Sequence, residues 1–131
     1  MSIPSIFKPF VPYPFEITLE KEQDQSSRLN VLLEAIQKGA ALGDQKLVDR
    51  AIFLLDQNET QEIMKASFLG AALVKAAGLG HLALTSHLMN KLPLPSREPM
   101  KEHYLEALQV ADLRGHDKIA RMLFNQVNPY L

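Results

Sequence analysis

The chain has 131 residues, about one domain's worth, with 14 basic against 15 acidic side chains and no cysteine. Near-neutral charge argues against an electrostatic nucleic-acid binder or a polybasic membrane anchor, and the lack of cysteine excludes disulfides, thiolate metal sites and a cysteine nucleophile. No apolar run approaches the roughly 18–20 residues of a membrane span, and Met1-Ser2-Ile3-Pro4 has neither the basic flank nor the apolar core of a signal peptide, so a soluble, intracellular-type domain is expected.

Residues 1–15 stand apart. Pro4, Pro9, Pro12 and Pro14 make up half of the prolines, interleaved with Phe7, Phe10, Tyr13 and Phe15. Proline fixes φ and removes a donor, so an extended, polyproline-like arm is expected here. Its aromatics either lie along the body or bind a partner; Pro9 and Pro12 offer a weak P-x-x-P spacing.

From residue 16 onward the pattern is helical. Glu16–Gln25 is acidic, and Thr18 is a candidate cap for a short helix. Ser26 or Ser27 is expected to cap the next, whose apolar face is Leu29, Leu32, Leu33, Ile36 and Ala40. Gly43 should end it and Asp44 should cap a third, with Leu47, Val48, Ala51, Ile52 and Leu55 inward. A polar break at Asp56–Glu59 precedes a segment from Thr60 to about Ala77. Between Ala66 and Ala77 its only polar side chains are Ser67 and Lys75. A helix apolar all round is buried all round, so this one is expected at the centre, with Leu73 and Val74 both largely buried. Gly78-Leu79-Gly80 reads as a tight turn. A helix from about His81 to Asn90 turns Leu82, Leu84 or Thr85, Leu88 and Met89 inward. A proline-punctuated loop, Lys91–Glu98, leads to a helix that Pro99 can start, carrying Tyr104, Leu105, Leu108 and Ala111 and stopping at Gly115. The last helix holds Ile119, Met122, Leu123 and Phe124 and ends at Pro129.

The turn glycines Gly43, Gly80 and Gly115 are spaced by 37 and 35 residues, a repeat-protein period. Glu34-Ala35-Ile36-Gln37 faces Glu106-Ala107-Leu108-Gln109, and Gly43-Asp44-Gln45-Lys46-Leu47 faces Gly115-His116-Asp117-Lys118-Ile119. The middle unit joins at Ala76-Ala77-Gly78-Leu79-Gly80-His81-Leu82. This resembles the ankyrin repeat, in which Ala-Ala ends one helix and Gly-His opens the next. The middle unit matches through Ala76, Ala77, Gly80, His81, Leu84 and Leu88, and the third through Ala111, Gly115, His116, Ile119 and Leu123. The first carries Asp44 in place of the histidine. The family's Thr-Pro-Leu-His opening and its β-finger segment are missing. The resemblance implies an all-α stack of helix-turn-helix hairpins over residues 16–131 behind the extended arm; a compact multi-helix bundle is the alternative.

Signs of chemistry are few. The histidines His81, His87, His103 and His116 lack metalloprotease spacing, and His81 and His116 read as turn residues bonding nearby backbone. Glu98, Glu102 and Glu106 lie four apart on one helical face next to His103, an acidic stripe or, in the rival reading, an acid–base site of a small enzyme. No phosphate loop, dinucleotide fingerprint or nucleophile elbow is present, so no metal, cofactor or catalytic residue is expected. Charge is uneven: residues 63–97 carry Lys65, Lys75, Lys91 and Arg97 and no acid, whereas residues 16–62 are rich in acids. The two segments either neutralise each other locally or present opposed surfaces. The expected function is protein binding without catalysis, by a cytoplasmic adaptor or inhibitor or by an effector secreted into a host cell without a cleavable signal. Partners other than protein, namely nucleic acid and membrane, are not expected. The expected contacts are Leu92, Leu94 and Arg97 on the proline-rich loop, with Phe10 and Tyr13 of the arm.

Overall fold

A computed structural model describes residues 12–58 and 62–131. The described residues form seven α-helices and no strand: α1 (Pro14–Lys21), α2 (Gln25–Leu42), α3 (Gln45–Asp56), α4 (Glu62–Gly78), α5 (Leu82–Lys91), α6 (Met100–Leu113) and α7 (Asp117–Val127), closed by a 3-10 turn at Asn128–Tyr130. They pair as three hairpins, α2/α3, α4/α5 and α6/α7. Within the stack α4 packs against both α2 and α6, and α5 touches α7.

The three hairpin turns share one backbone solution. Gly43, Gly80 and Gly115 have φ of 70°, 83° and 77°, the left-handed region that costs a side chain but not glycine. In each turn the amide after the glycine reaches five residues back: Asp44 to the Gly39 carbonyl at 2.9 Å, His81 to Ala76 at 3.0 Å, and His116 to Ala111 at 2.9 Å. This satisfies carbonyls that a helix end would otherwise strand. The Asp44 carboxylate then accepts the Leu47 amide and starts α3, as its position predicts.

The core runs through all three hairpins, from Leu32 and Ile36 on α2, through Leu69, Leu73, Ala76 and Ala77 on α4, to Tyr104, Ala107 and Ala111 on α6. Small residues on α4 let its neighbours come close: a Cβ on Gly70 would sit 2.5 Å from the His103 ring, and one on Gly78 3.3 Å from Val110.

Several expectations need correction. The expected arm does not reach residue 15, because Pro14 opens α1: its missing N–H is not needed at a first helical position, and the Glu16 carboxylate turns back to accept the Tyr13 amide at 2.8 Å; the part of the arm before residue 12 lies outside the described residues. Thr18 therefore lies inside α1. Asp24, not Ser26 or Ser27, caps α2 by accepting the Ser27 amide. The central helix is not buried all round. Leu73 is fully buried, but Val74 is only half-buried, and Ile63, Ser67, Ala71 and Lys75 recur every four residues as an exposed stripe. Leu82 and Phe124, expected inside, are exposed on the outer helices α5 and α7.

The acidic N-terminal helix is tied down at both ends. Glu16, almost fully buried, pairs with Arg50 of α3 at 2.8 Å. At the other end Arg28 of α2 donates to the carbonyls of Leu19 at 2.8 Å and Glu22 at 3.1 Å. The terminal carbonyls of α1 thus find a cation, the partner a helix C-terminus favours.

Candidate functional site

The turn edge of the stack is built from the glycines upward. The His81 ring lies on Gly43 so closely that a Cβ there would be 2.7 Å from Nδ1, and its Nε2 sits 2.9 Å from the Ala41 carbonyl oxygen. The His116 ring covers Gly80 in the same way, 2.7 Å from a would-be Cβ, while nothing lies within 4 Å of the place a Cβ would take on Gly115. Each histidine thus covers the glycine of the hairpin before it. The first hairpin has none before it, and there Asp44 stands in place of histidine.

Beside this ladder the same edge exposes large apolar side chains. Leu42 (62% exposed) and Leu79 (43%) both immediately precede the turn glycine, and Leu113 (77%) stands two before Gly115. At the residue before Gly115 stands Arg114, whose guanidinium donates to the Gly78 carbonyl at 3.0 Å. Leu79, Ala71, Val74, Lys75, Gly78, Val110 and Arg114 line a groove of about 320 Å³ between α4 and α6. A second, smaller recess of about 230 Å³ involves Leu42 with Tyr13, Phe15, Ala35, Lys38 and Leu47.

The two seams between hairpins differ on the outer layer. Between the first and second, Asp49 of α3 meets His87 at 2.7 Å and Lys91 at 3.8 Å, both on α5, and Asp56 meets Lys65 of α4 at 2.7 Å. The base-rich segment thus neutralises acids of its neighbour locally. Counted from each turn glycine, the places of Asp49, His87 and Lys91 are taken at the next seam by Ser86, Met122 and Gln126. An uncharged set stands there, and the surface between α5 and α7 is open.

The residues expected to contact a partner are scattered. Leu92 is 8% exposed and belongs to the core, because the chain leaving α5 folds its first loop residue back under the stack; it is corrected from contact to core residue. Leu94, 57% exposed, and Arg97 lie on the surface of the loop. Tyr13 is half-buried and stacks on Phe15 with ring centroids 6.0 Å apart. Phe10, and with it the P-x-x-P spacing, lies outside the described residues.

The acid–base candidates do not converge. Glu98 accepts the Glu102 amide at 3.0 Å and so steadies the start of α6. Glu102 and Glu106 are exposed, while His103, expected on a solvated face, packs its ring on Gly70. The perturbed titratable group lies elsewhere, in the core. Tyr104 is wholly buried, burial pushes its phenol up to about 12, and its hydroxyl meets no hydrogen-bond partner among the described residues. A neutral phenol in the core is a packing group, since a nucleophile or base would need access.

Sequence reasoning missed the exposed leucines and the unequal seams. The signal was there: the 37- and 35-residue register places Leu42 over Leu79 and Asp49 one residue before the place of His87. No helix among the described residues is long and apolar enough to cross a membrane. Comparison with family models, with curated proteins and with solved structures gives no match.

Proposed function

We propose that this chain is a protein-binding module that performs no chemistry of its own. The observation that carries the reading is the row Leu42, Leu79 and Leu113, one exposed leucine per hairpin beside the turns. Fully burying a leucine is worth about 1.5–3 kcal/mol, so three left in water near the turns, two of them at the equivalent place before the glycine, support a surface that a partner covers. Stacked hairpins present such surfaces as extended faces, which the resemblance to ankyrin hairpins also implies. Leu94 and Arg97 on the α5–α6 loop, and Tyr13 in the recess beside Leu42, are further contacts in this reading. An adaptor, an inhibitor or an effector acting in a cytoplasm fits it. The acid–base alternative has no comparable support, since Glu98 and His103 are each occupied in structural contacts.

The test is affinity capture with quantitative mass spectrometry, comparing the wild type with a Leu42→Ser, Leu79→Ser, Leu113→Ser variant whose circular dichroism is unchanged. A specific protein retained by the wild type and lost by the variant is the expected result. Identical captures, or none that is specific, overturn the reading.

A further inference from the structure

We propose that the furrow between α5 and α7 docks an acidic amphipathic helix of a partner protein. The inference rests on the reading as a protein-binding module and names the chemistry of one partner. The furrow consists of two adjoining depressions, of about 430 Å³ and about 280 Å³, that share Lys118. Its apolar lining comes from Met89 of α5, Met122 of α7 and, toward the turn, Leu82. Methionine is unbranched and polarizable, and grooves lined by it adapt to varied apolar side chains. The lining runs from His116 to Gln126, ten residues of rise at 1.5 Å, so it offers about 15 Å, or nearly three turns, to a partner helix.

Charge selects the sign of the occupant. Lys118 and Arg121 border the furrow, and neither makes an ion pair or hydrogen bond among the described residues. Lys118 lies in the first turn of α7, where the helix dipole disfavours a cation, and Arg121 stands four residues after Asp117 without coming within ion-pair distance of it among the described residues. No acid sits on α5; Asp117, the only acid on α7, lines the depression nearer the turn, and the one beside Arg121 has no acid in its lining. The seam before this one shows the contrast: there Asp49 satisfies His87 and Lys91 from within the chain. Here the repeat places Ser86, Met122 and Gln126 instead, and no carboxylate stands within ion-pair distance of Lys118 or Arg121 among the described residues. A helix with leucines at i, i+3/i+4 and i+7 and glutamates along its flanks would set its apolar stripe on Met89 and Met122 and its carboxylates against Lys118 and Arg121.

The probe is a fluorescein-labelled synthetic peptide of about 18 residues with that pattern. A copy with every Glu changed to Lys and a single-stranded oligonucleotide serve as comparison probes. Binding to the full chain is followed by anisotropy at low salt and by carbon-13 spectra of methionine methyl groups. Expected are binding of the acidic peptide, shifts of the Met89 and Met122 methyls without shift of the buried Met100, and a loss of about tenfold or more in affinity on Lys118→Glu with Arg121→Glu. No binding of the acidic peptide, equal binding of its lysine copy, preferential binding of the oligonucleotide, or unchanged affinity of the folded double variant overturns the inference. If the serine variant of the leucine row loses its captured protein while these arms fail, the inference falls and the protein-binding reading stands.

Discussion

The two seams of the stack are closed by the same device at the turns and by different devices on the outer layer. At the turns, the His81 ring covers Gly43 and the His116 ring covers Gly80, though His81 bonds the Ala41 carbonyl while the equivalent Gly78 carbonyl accepts from Arg114. On the outer layer, one seam is tied by Asp49 to His87 and Lys91, and the other, where α5 touches α7, carries a shallow furrow bordered by two cations that have no ion-pair partner among the described residues. Backbone geometry at a left-handed turn admits few solutions, so it recurs. Partly exposed ion pairs contribute little to stability, so those positions are free to serve either cohesion or recognition.

The widest blow to both seams is at α4, which they share. Leu73→Ala should cost about 2–5 kcal/mol, because the fully buried side chain leaves a cavity between hairpins; chemical denaturation reads it, and an unchanged midpoint would refute the central place of α4. Val74→Ala, at a half-buried position lining the α4–α6 groove, should cost clearly less.

The ladder is broken next. Gly43→Ala and Gly80→Ala each combine a left-handed φ with a Cβ at 2.7 Å from an imidazole, and about 2–4 kcal/mol is expected from strain and overpacking together. Gly115→Ala has the φ but open space, so about 1 kcal/mol is expected. Equal losses at all three glycines would show that the stacked rings contribute nothing.

Tyr104 tests the core beneath the second seam. Its phenol titrates near 12 when folded against 10.0 when free, so the folded state holds the proton more tightly. Stability is therefore unaffected below pH 10 and falls as pH rises from 10 to 12, as the unfolded chain gains by ionising. Tyr104→Phe should remove that tyrosine's share of the alkaline loss, about 1 kcal/mol at pH 11, and be near neutral at pH 7, since the hydroxyl leaves no partner behind. Urea midpoints at pH 7 and 11 for both proteins decide it.

The smallest effect is expected at the ion pairs of the first seam. Asp49→Ala should lose about 0.5–1 kcal/mol, less at high salt, because its partners are partly exposed. Transplanting the tie with Ser86→Asp and Met122→His should return a similar amount to the second seam and weaken binding of the acidic peptide. A transplant that stabilises nothing would show that the repeat register does not carry over to side-chain placement.

Helix order and the three turns were legible in residues 16–131 because they follow from local rules: glycine where φ must be positive, aspartate where an amide needs a cap, apolar residues at helical spacing; the central place of α4 was read from an all-round apolar surface, which its exposed stripe does not bear out. Pro14 misled because proline forbids helix interiors yet suits a first turn, and only the Glu16 carboxylate reaching back to Tyr13 decides between the two. Leu92 misled because alternating leucine and proline describe an extended loop without saying which leucine turns inward.

What the sequence determined by itself is an all-helical chain with a repeating turn, since propensity and capping act within a few residues of each position. Distant packing decided which faces pair: that His103 spends its ring on Gly70, that Glu16 is buried against Arg50, and that one seam carries the ion pairs of Asp49 while the next leaves a furrow beside Met89 and Met122. Those outcomes join residues more than thirty positions apart in the chain, and their energies depend on distance and desolvation, which no local pattern of residues records.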